Sequence, residues 1–138
     1  MKLQKAFLAT LFCCGALLAG CEQVDFSAVS SPAPGAVAQL DNGDREIQLS
    51  AHTALAIECS TLKGPCHDVQ VRVADNQIVQ VYPASVDRLV ASYSDGRYAG
   101  DQPASVWIVA GLQAGMTRIH FGTDAGSADF DVFILDAL

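Results

Sequence analysis

The stretch Ala128-Asp-Phe-Asp-Val-Phe-Ile-Leu135, close to the end of the chain, decides the fold class. Its apolar residues Phe130, Val132 and Ile134 alternate with Asp129, Asp131 and Phe133. Successive side chains of a β-strand point to opposite faces of a sheet, so this alternation is typical of a strand. The stretch is also strongly apolar, which suits a central strand better than an exposed edge strand. The sequence therefore predicts a β-strand at the centre of a sheet.

Shorter segments with the same period precede this strand and are separated by turn sequences rich in Asp, Asn and Gly. We predict strands over 47–50, 53–59, 69–74, 78–82, 88–93, 105–110 and 117–121. No long window after the N-terminal apolar run shows the period of a helix. Seven to eight strands with this spacing fit one antiparallel β-sandwich over 45–138, so the predicted fold class is all-β.

The segment that precedes the predicted sandwich has a different composition. Residues 22–44 are rich in Pro, Gly, Ser and Ala and show neither a helix nor a strand period. Such segments behave as flexible linkers. We therefore predict a flexible tether over 21–44.

The N-terminus has the composition of an export signal. Lys2 and Lys5 are followed by an apolar run that is shorter than the ~20 residues needed to span a bilayer. The run ends in Leu18-Ala-Gly-Cys21, which resembles the lipobox of bacterial lipoproteins. The resemblance implies a signal peptide over 1–20, cleavage before Cys21, and fatty acylation of Cys21, including palmitate. By the sorting rule of enteric lipoproteins, Glu22 in place of Asp implies an outer-membrane location. We expect the anchored protein to face the periplasm.

An ordinary secretory signal is the alternative, with Cys21 as one of three cysteines available for disulfides. The two interpretations differ in how the mature protein is held. A secreted protein is released, whereas a lipoprotein stays at the membrane because several acyl chains anchor it without a transmembrane helix. We expect the Cys21 acyl chains to be the membrane contact.

The charge of the chain limits its partners. Removal of residues 1–20 leaves six basic residues against fifteen acidic ones, a formal net charge of −9. This charge repels nucleic acid, which requires clustered Lys and Arg. It also gives no attraction to anionic lipid.

Two cysteines remain once the signal and the acylated residue are set aside. Cys13 and Cys14 leave with the signal peptide, so Cys59 and Cys66 have only each other in an oxidising compartment. A redox or metal-binding pair is the alternative, although six intervening residues do not match the two-residue spacing of those motifs. We predict a Cys59–Cys66 disulfide.

Three longer stretches resemble bacterial Ig-like domains of the group 2 kind. The stretches are 71–81, 109–119 and 124–134, which contain a strand-turn-strand, a Gly-Leu-x-Ala-Gly-x-Thr-x-Ile turn and a closing strand. The resemblance covers 46–135 and implies an Ig-like β-sandwich. The glycine turn also occurs in the small N-terminal domains of pilus and secretin proteins, which stay an open alternative. The chain departs from the Ig-like pattern at the Cys59–Cys66 loop and at a polar insertion, 94–103.

The sequence contains no recognisable catalytic constellation. It lacks a Gly-x-Ser-x-Gly elbow and a phosphate-binding loop, and its carboxylates lie on predicted exposed faces. His67 neighbours Cys66 and Asp68, but a disulfide cysteine is no metal ligand. We expect His120 to face solvent and Trp107 to lie in the core. The expected protein is not an enzyme and has no cofactor and no metal.

Arg97 and Tyr98 lie in the polar insertion and are of the types that anchor interfaces, so they form a candidate partner-binding loop. A loop without a partner is the alternative. The sequence predicts a non-enzymatic outer-membrane lipoprotein, either a protein-interaction or structural module accessory to an envelope or secretion assembly, or an adhesive module. A periplasmic inhibitor or ligand-binding lipoprotein is the alternative function.

Overall fold

A computed structural model describes residues 23–86 and 104–137, and these residues form two β-sheets packed face to face. No helix occurs in the described part of the chain. The strands are β1 (Asp25–Ala28), β2 (Ala38–Asp41), β3 (Glu46–Ser50), β4 (Ala54–Thr61), β5 (Gly64–Pro65), β6 (Gln70–Val73), β7 (Val79–Val86), β8 (Ala104–Gly111), β9 (Gly115–Gly122) and β10 (Ser127–Leu135). The predicted all-β sandwich is confirmed.

The ten described strands are divided equally between two five-stranded sheets, A and B. Sheet A has the order β1-β4-β8-β7, with the short β5 paired to β4, and sheet B has the order β2-β3-β10-β9-β6. β10 lies between β3 and β9, which confirms its predicted central position. The β3–β10 pair is parallel, whereas the other described pairs are antiparallel. The predicted wholly antiparallel arrangement is corrected at this pair, because two strands so distant in the chain are not constrained by a hairpin.

The period-two segments predicted most of the strands. Those at 47–50, 53–59, 69–74, 78–82, 105–110, 117–121 and 128–135 correspond to β3, β4, β6, β7, β8, β9 and β10. The predicted segment 88–93 lies outside the described residues. The described residues contain ten strands rather than seven or eight, because β1, β2 and β5 come from segments predicted as tether and loop.

The inward faces of both sheets meet in one apolar core. An aromatic cluster lies at its centre, with the Phe26 ring 5.0 Å from those of Phe121 and Phe130. Trp107 is partly buried against this core, with its ring 6.3 Å from that of Phe121. The fully buried side chains are Ile47, Leu49, Leu55, Ile57, Cys59, Val79, Val109, Ile119, Phe121, Phe130 and Val132.

The structure corrects the flexible tether predicted over 21–44. β1 pairs with β4 and β2 pairs with β3, so this segment supplies an edge strand to each sheet. Val24 and Phe26 are spaced by two residues and both insert into the core. The Pro- and Gly-rich composition belongs to the connection between β1 and β2. The sandwich therefore includes residues from Val24 onward rather than starting at residue 45.

Candidate interaction surfaces

The outer face of sheet B is a polar surface built by strand alternation. Each strand of the sheet turns one set of side chains into the core and the other set outward, as the burial pattern of β10 shows. We call the outward set the sheet B face. Its members include Gln39, Asp41, Glu46, Gln48, Gln70, Arg72, Met116, Arg118, His120, Asp129, Asp131, Phe133 and Leu135.

Two cross-strand side-chain pairs, Arg118–Asp131 and His120–Asp129, lie at the centre of the sheet B face. Nε of the Arg118 guanidinium donates to Oδ1 of Asp131 at 2.8 Å, and Nη2 lies 2.8 Å from the same oxygen. His120 Nδ1 lies 2.8 Å from Oδ1 of Asp129. The hydrogen bond to Asp131 is the main cause that raises the pKa of Arg118 above its ordinary value. All four side chains are substantially exposed, so they are accessible from solvent and their pairing adds little to the stability of the fold.

The charges of the sheet B face are divided across the sheet. The strand register places Arg118, Asp131, Glu46 and Asp41 in one row across β9, β10, β3 and β2. Arg72 lies beside His120 in the neighbouring row, on the same side as Arg118. One side of the face is therefore cationic and the other is anionic. Such a division selects partners by electrostatic complementarity.

An apolar end adjoins these charges. Met116 is 65% exposed and lies opposite Phe133 in the β9–β10 register. Leu135, two residues further along β10, is 42% exposed. Methionine and aromatic residues are enriched in protein interfaces, where a polar rim commonly surrounds an apolar centre. The sheet B face has both components.

A disulfide closes a second exposed element, the hairpin 59–66. Cys59 and Cys66 form the predicted disulfide, with their Cα atoms 5.4 Å apart, and both residues are buried. At the tip, the Thr61 hydroxyl donates to the Gly64 carbonyl and accepts from the Lys63 backbone N–H. Leu62 is 69% exposed at this tip. The hairpin therefore presents an apolar side chain on a covalently closed turn.

The structure describes only some of the other residues that the sequence singled out. Cys21, Arg97 and Tyr98 lie outside the described residues. His120 is partly exposed, in agreement with its predicted orientation toward solvent. Within 23–86 and 104–137, no three side chains of the metal-binding types His, Cys, Asp and Glu come together. The same residues include no helix with the length and apolarity needed to cross a membrane.

Sequence reasoning missed the position of Arg45. Its guanidinium lies 5.9 Å from the ring centroid of Phe26 and 5.4 Å from that of Phe130, within the range of a cation–π contact. Its Nη2 also donates to the Val24 carbonyl at 3.4 Å. Arg45 thus connects β1 to the β2–β3 turn at one end of the core. A lone arginine after a turn carries no sequence signal for such a contact.

Comparisons with known proteins give no family assignment. No protein-family model matches the chain, and no curated protein matches it. Among solved structures, domains 4–9 of the surface layer protein SbsC superpose with a TM-score of 0.44 at 10% identity, over 83% of this chain and 14% of that chain. SbsC domains 4 and 5 superpose with a TM-score of 0.43 at 10% identity, over 80% of this chain and 47% of that chain. This chain thus spans less than half of either structure.

Proposed function

We propose that this protein is an outer-membrane lipoprotein that acts as a non-enzymatic protein-interaction module in the cell envelope. Acylated Cys21 would anchor the sandwich on the periplasmic side of the membrane. The lipobox-like stretch 18–21 supports the anchor. The observation that carries the interaction role is the sheet B face, where divided charges adjoin exposed Met116.

The sheet B face suits a protein partner for two physical reasons. It lies on five hydrogen-bonded strands, so its side chains start from a fixed backbone and lose little backbone freedom on binding. Its charge division also defines the partner, which would place acidic groups over Arg72 and Arg118 and basic groups over Glu46 and Asp41. An apolar group of the partner would cover Met116.

Photo-cross-linking in intact cells tests this role. A photoreactive amino acid at Met116 should give a discrete protein adduct, whereas the same group at exposed Ser27 of sheet A should not. The double substitution Arg118→Asp with Asp131→Arg keeps an internal ion pair but reverses the charges that the partner meets. We expect it to abolish the Met116 adduct while the unfolding midpoint stays unchanged. Repeated absence of an adduct at Met116, or equal adducts at both positions, would rule out this face.

The disulfide hairpin favours one second candidate, a periplasmic inhibitor of hydrolases. Leu62 is the most exposed large apolar residue of the described chain and is held on a closed turn, which lowers the entropy cost of inserting it into an apolar pocket. Purified protein assayed against a panel of lysozymes and proteases tests this role. Inhibition that is weakened by Leu62→Ala would support it, and no inhibition of any enzyme would exclude it for that panel.

A further inference from the structure

The turn between β2 and β3 carries an arrangement that the anchor does not use and to which the sheet B face contributes only Asp41. It contains the sequence Asp41-Asn42-Gly43-Asp44-Arg45. We propose that Asn42 is a site of spontaneous deamidation in the folded protein, promoted by the side chains of Asp41 and Arg45. The product would carry one additional negative charge in this turn.

Three hydrogen bonds define the geometry of this site. The backbone N–H of Gly43 donates to Oδ1 of Asp41 at 2.9 Å, and the N–H of Asp44 donates to the same oxygen at 2.9 Å. On the other side, Nη1 of Arg45 donates to Oδ1 of Asn42 at 2.7 Å. The nitrogen that attacks in a deamidation therefore faces a carboxylate, and the amide that is attacked faces a cation.

Deamidation requires removal of the proton from the attacking nitrogen and stabilisation of the negative charge that develops on the amide oxygen, and these contacts provide both. The Gly43 nitrogen forms a bond to Cγ of Asn42 while its proton passes to the Asp41 carboxylate, which acts as a general base. Negative charge that develops on Oδ1 of Asn42 is stabilised by the Arg45 guanidinium, as in an oxyanion hole. The Cγ–N bond of the side-chain amide then breaks, and the nitrogen leaves as ammonia with the transferred proton.

A cyclic succinimide is the result, and water opens it at either carbonyl. Opening yields aspartate or isoaspartate at position 42. The net reaction consumes one water, releases one ammonia, and changes no oxidation state. Gly43 favours the attack because no Cβ adjoins the attacking nitrogen.

The chain offers a matched comparison within the same molecule. The turn Asp75-Asn76-Gln77 has the same first hydrogen bond, since the Gln77 N–H donates to Oδ1 of Asp75 at 2.9 Å. It differs in two respects, because Gln77 carries a side chain and no described guanidinium donates to the amide of Asn76. We therefore expect Asn42 to react and Asn76 to be nearly inert.

Deamidation of Asn42 would change the interactions of the Arg45 guanidinium, which contacts the core. Aspartate at position 42 would give the guanidinium an ion pair in place of a neutral hydrogen bond. Isoaspartate would instead add a methylene to the main chain next to Arg45, whose guanidinium lies over Phe26 and Phe130. The two products should therefore differ in how firmly β1 is held.

Incubation of the purified full chain at mildly alkaline pH tests the proposal. Peptide mass spectrometry would follow the conversion of Asn42 and Asn76, and an isoaspartate-specific methyltransferase would count the isoaspartate product. We expect conversion at Asn42 to be several-fold faster in the folded chain than in the same chain unfolded in urea. Asp41→Asn and Arg45→Lys should each lower the rate of deamidation at Asn42 several-fold and leave the rate at Asn76 unchanged. Circular dichroism would confirm that both variants are folded.

Two results would overturn the proposal. The first is conversion at Asn42 that is no faster in the folded chain than in urea, because the fold would then give no assistance. The second is an unchanged rate in both variants while the fold is retained.

Discussion

In the described chain, three residues other than glycine have a positive φ, and each lies in a turn or bend between strands. They are Arg45 (φ 58°), His52 (φ 64°) and Asp68 (φ 50°). This left-handed region is unfavourable for residues with a Cβ and most unfavourable for β-branched ones. His52 holds the conformation while its N–H donates to the Gly111 carbonyl at 2.9 Å, so the turn fixes the backbone there.

Substitutions at His52 should therefore separate backbone strain from side-chain contacts. His52 is exposed, so its side chain contributes little packing. We expect His52→Gly to leave the free energy of unfolding unchanged or raise it by up to about 1 kcal/mol, and His52→Val to lower it by about 1–2 kcal/mol. Chemical denaturation of both variants measures the difference. Equal stability of the two variants would contradict the conformation assigned to this turn.

The disulfide gives a second prediction for single residues. The covalent loop Cys59–Cys66 is short, and its closure should stabilise the fold by roughly 2–3 kcal/mol through restriction of the unfolded chain. We expect the double variant Cys59→Ala, Cys66→Ala to unfold at a lower denaturant concentration by that free energy. Unchanged stability of the double variant would show that the bridge does not form.

β1 shows why the sequence predicted some elements and missed others. Strands of four or more residues with an apolar alternation were predicted because their own pattern specifies them. β1, β2 and β5 have two to four residues each, so an alternation such as that of Val24 and Phe26 is too short to identify a strand, and these strands are defined by their pairing with β3 and β4. Pro and Gly in the connection after β1 also dominate the composition of that segment, which favoured a tether.

Phe26 provides the test of β1 as a structural strand. Its ring contacts both Phe121 and Phe130, and the side chain is 4% exposed. We expect Phe26→Ala to lower the free energy of unfolding by about 3–5 kcal/mol, the usual cost of removing a buried phenylalanine. Ser27→Ala, at the exposed neighbouring position, should change it by less than about 0.5 kcal/mol. Similar small effects at both positions would mean that β1 is not part of the core.

The candidate surfaces were predictable in part. The alternation in β10 placed Asp129 and Asp131 outward, and the cysteine count predicted the disulfide. The pairing of Arg118 with Asp131 depends on the register across the turn between β9 and β10, which the alternation alone does not determine. The row that continues to Glu46 depends on the parallel β3–β10 pair, for which the sequence contained no local signal.

The extent of the folding unit is a property of the whole molecule. The sequence placed its start at residue 45, whereas the structure includes β1 and β2, with Val24 and Phe26 in the core. We expect a chain that begins at Gln23 to unfold cooperatively and a chain that begins at Arg45 to lose the cooperative transition. Thermal unfolding followed by circular dichroism measures both. A cooperative transition in the shorter chain would restore the predicted boundary.

The proposed function requires that this sandwich be held at a membrane by Cys21. The Cys21→Ser variant provides the control, because it cannot be acylated and should leave the membrane fraction. The most direct measurement is the intact mass of the protein purified from its native envelope. Our account predicts loss of residues 1–20, added acyl mass on Cys21, and an oxidised Cys59–Cys66 pair. A mature chain without acyl mass would contradict it.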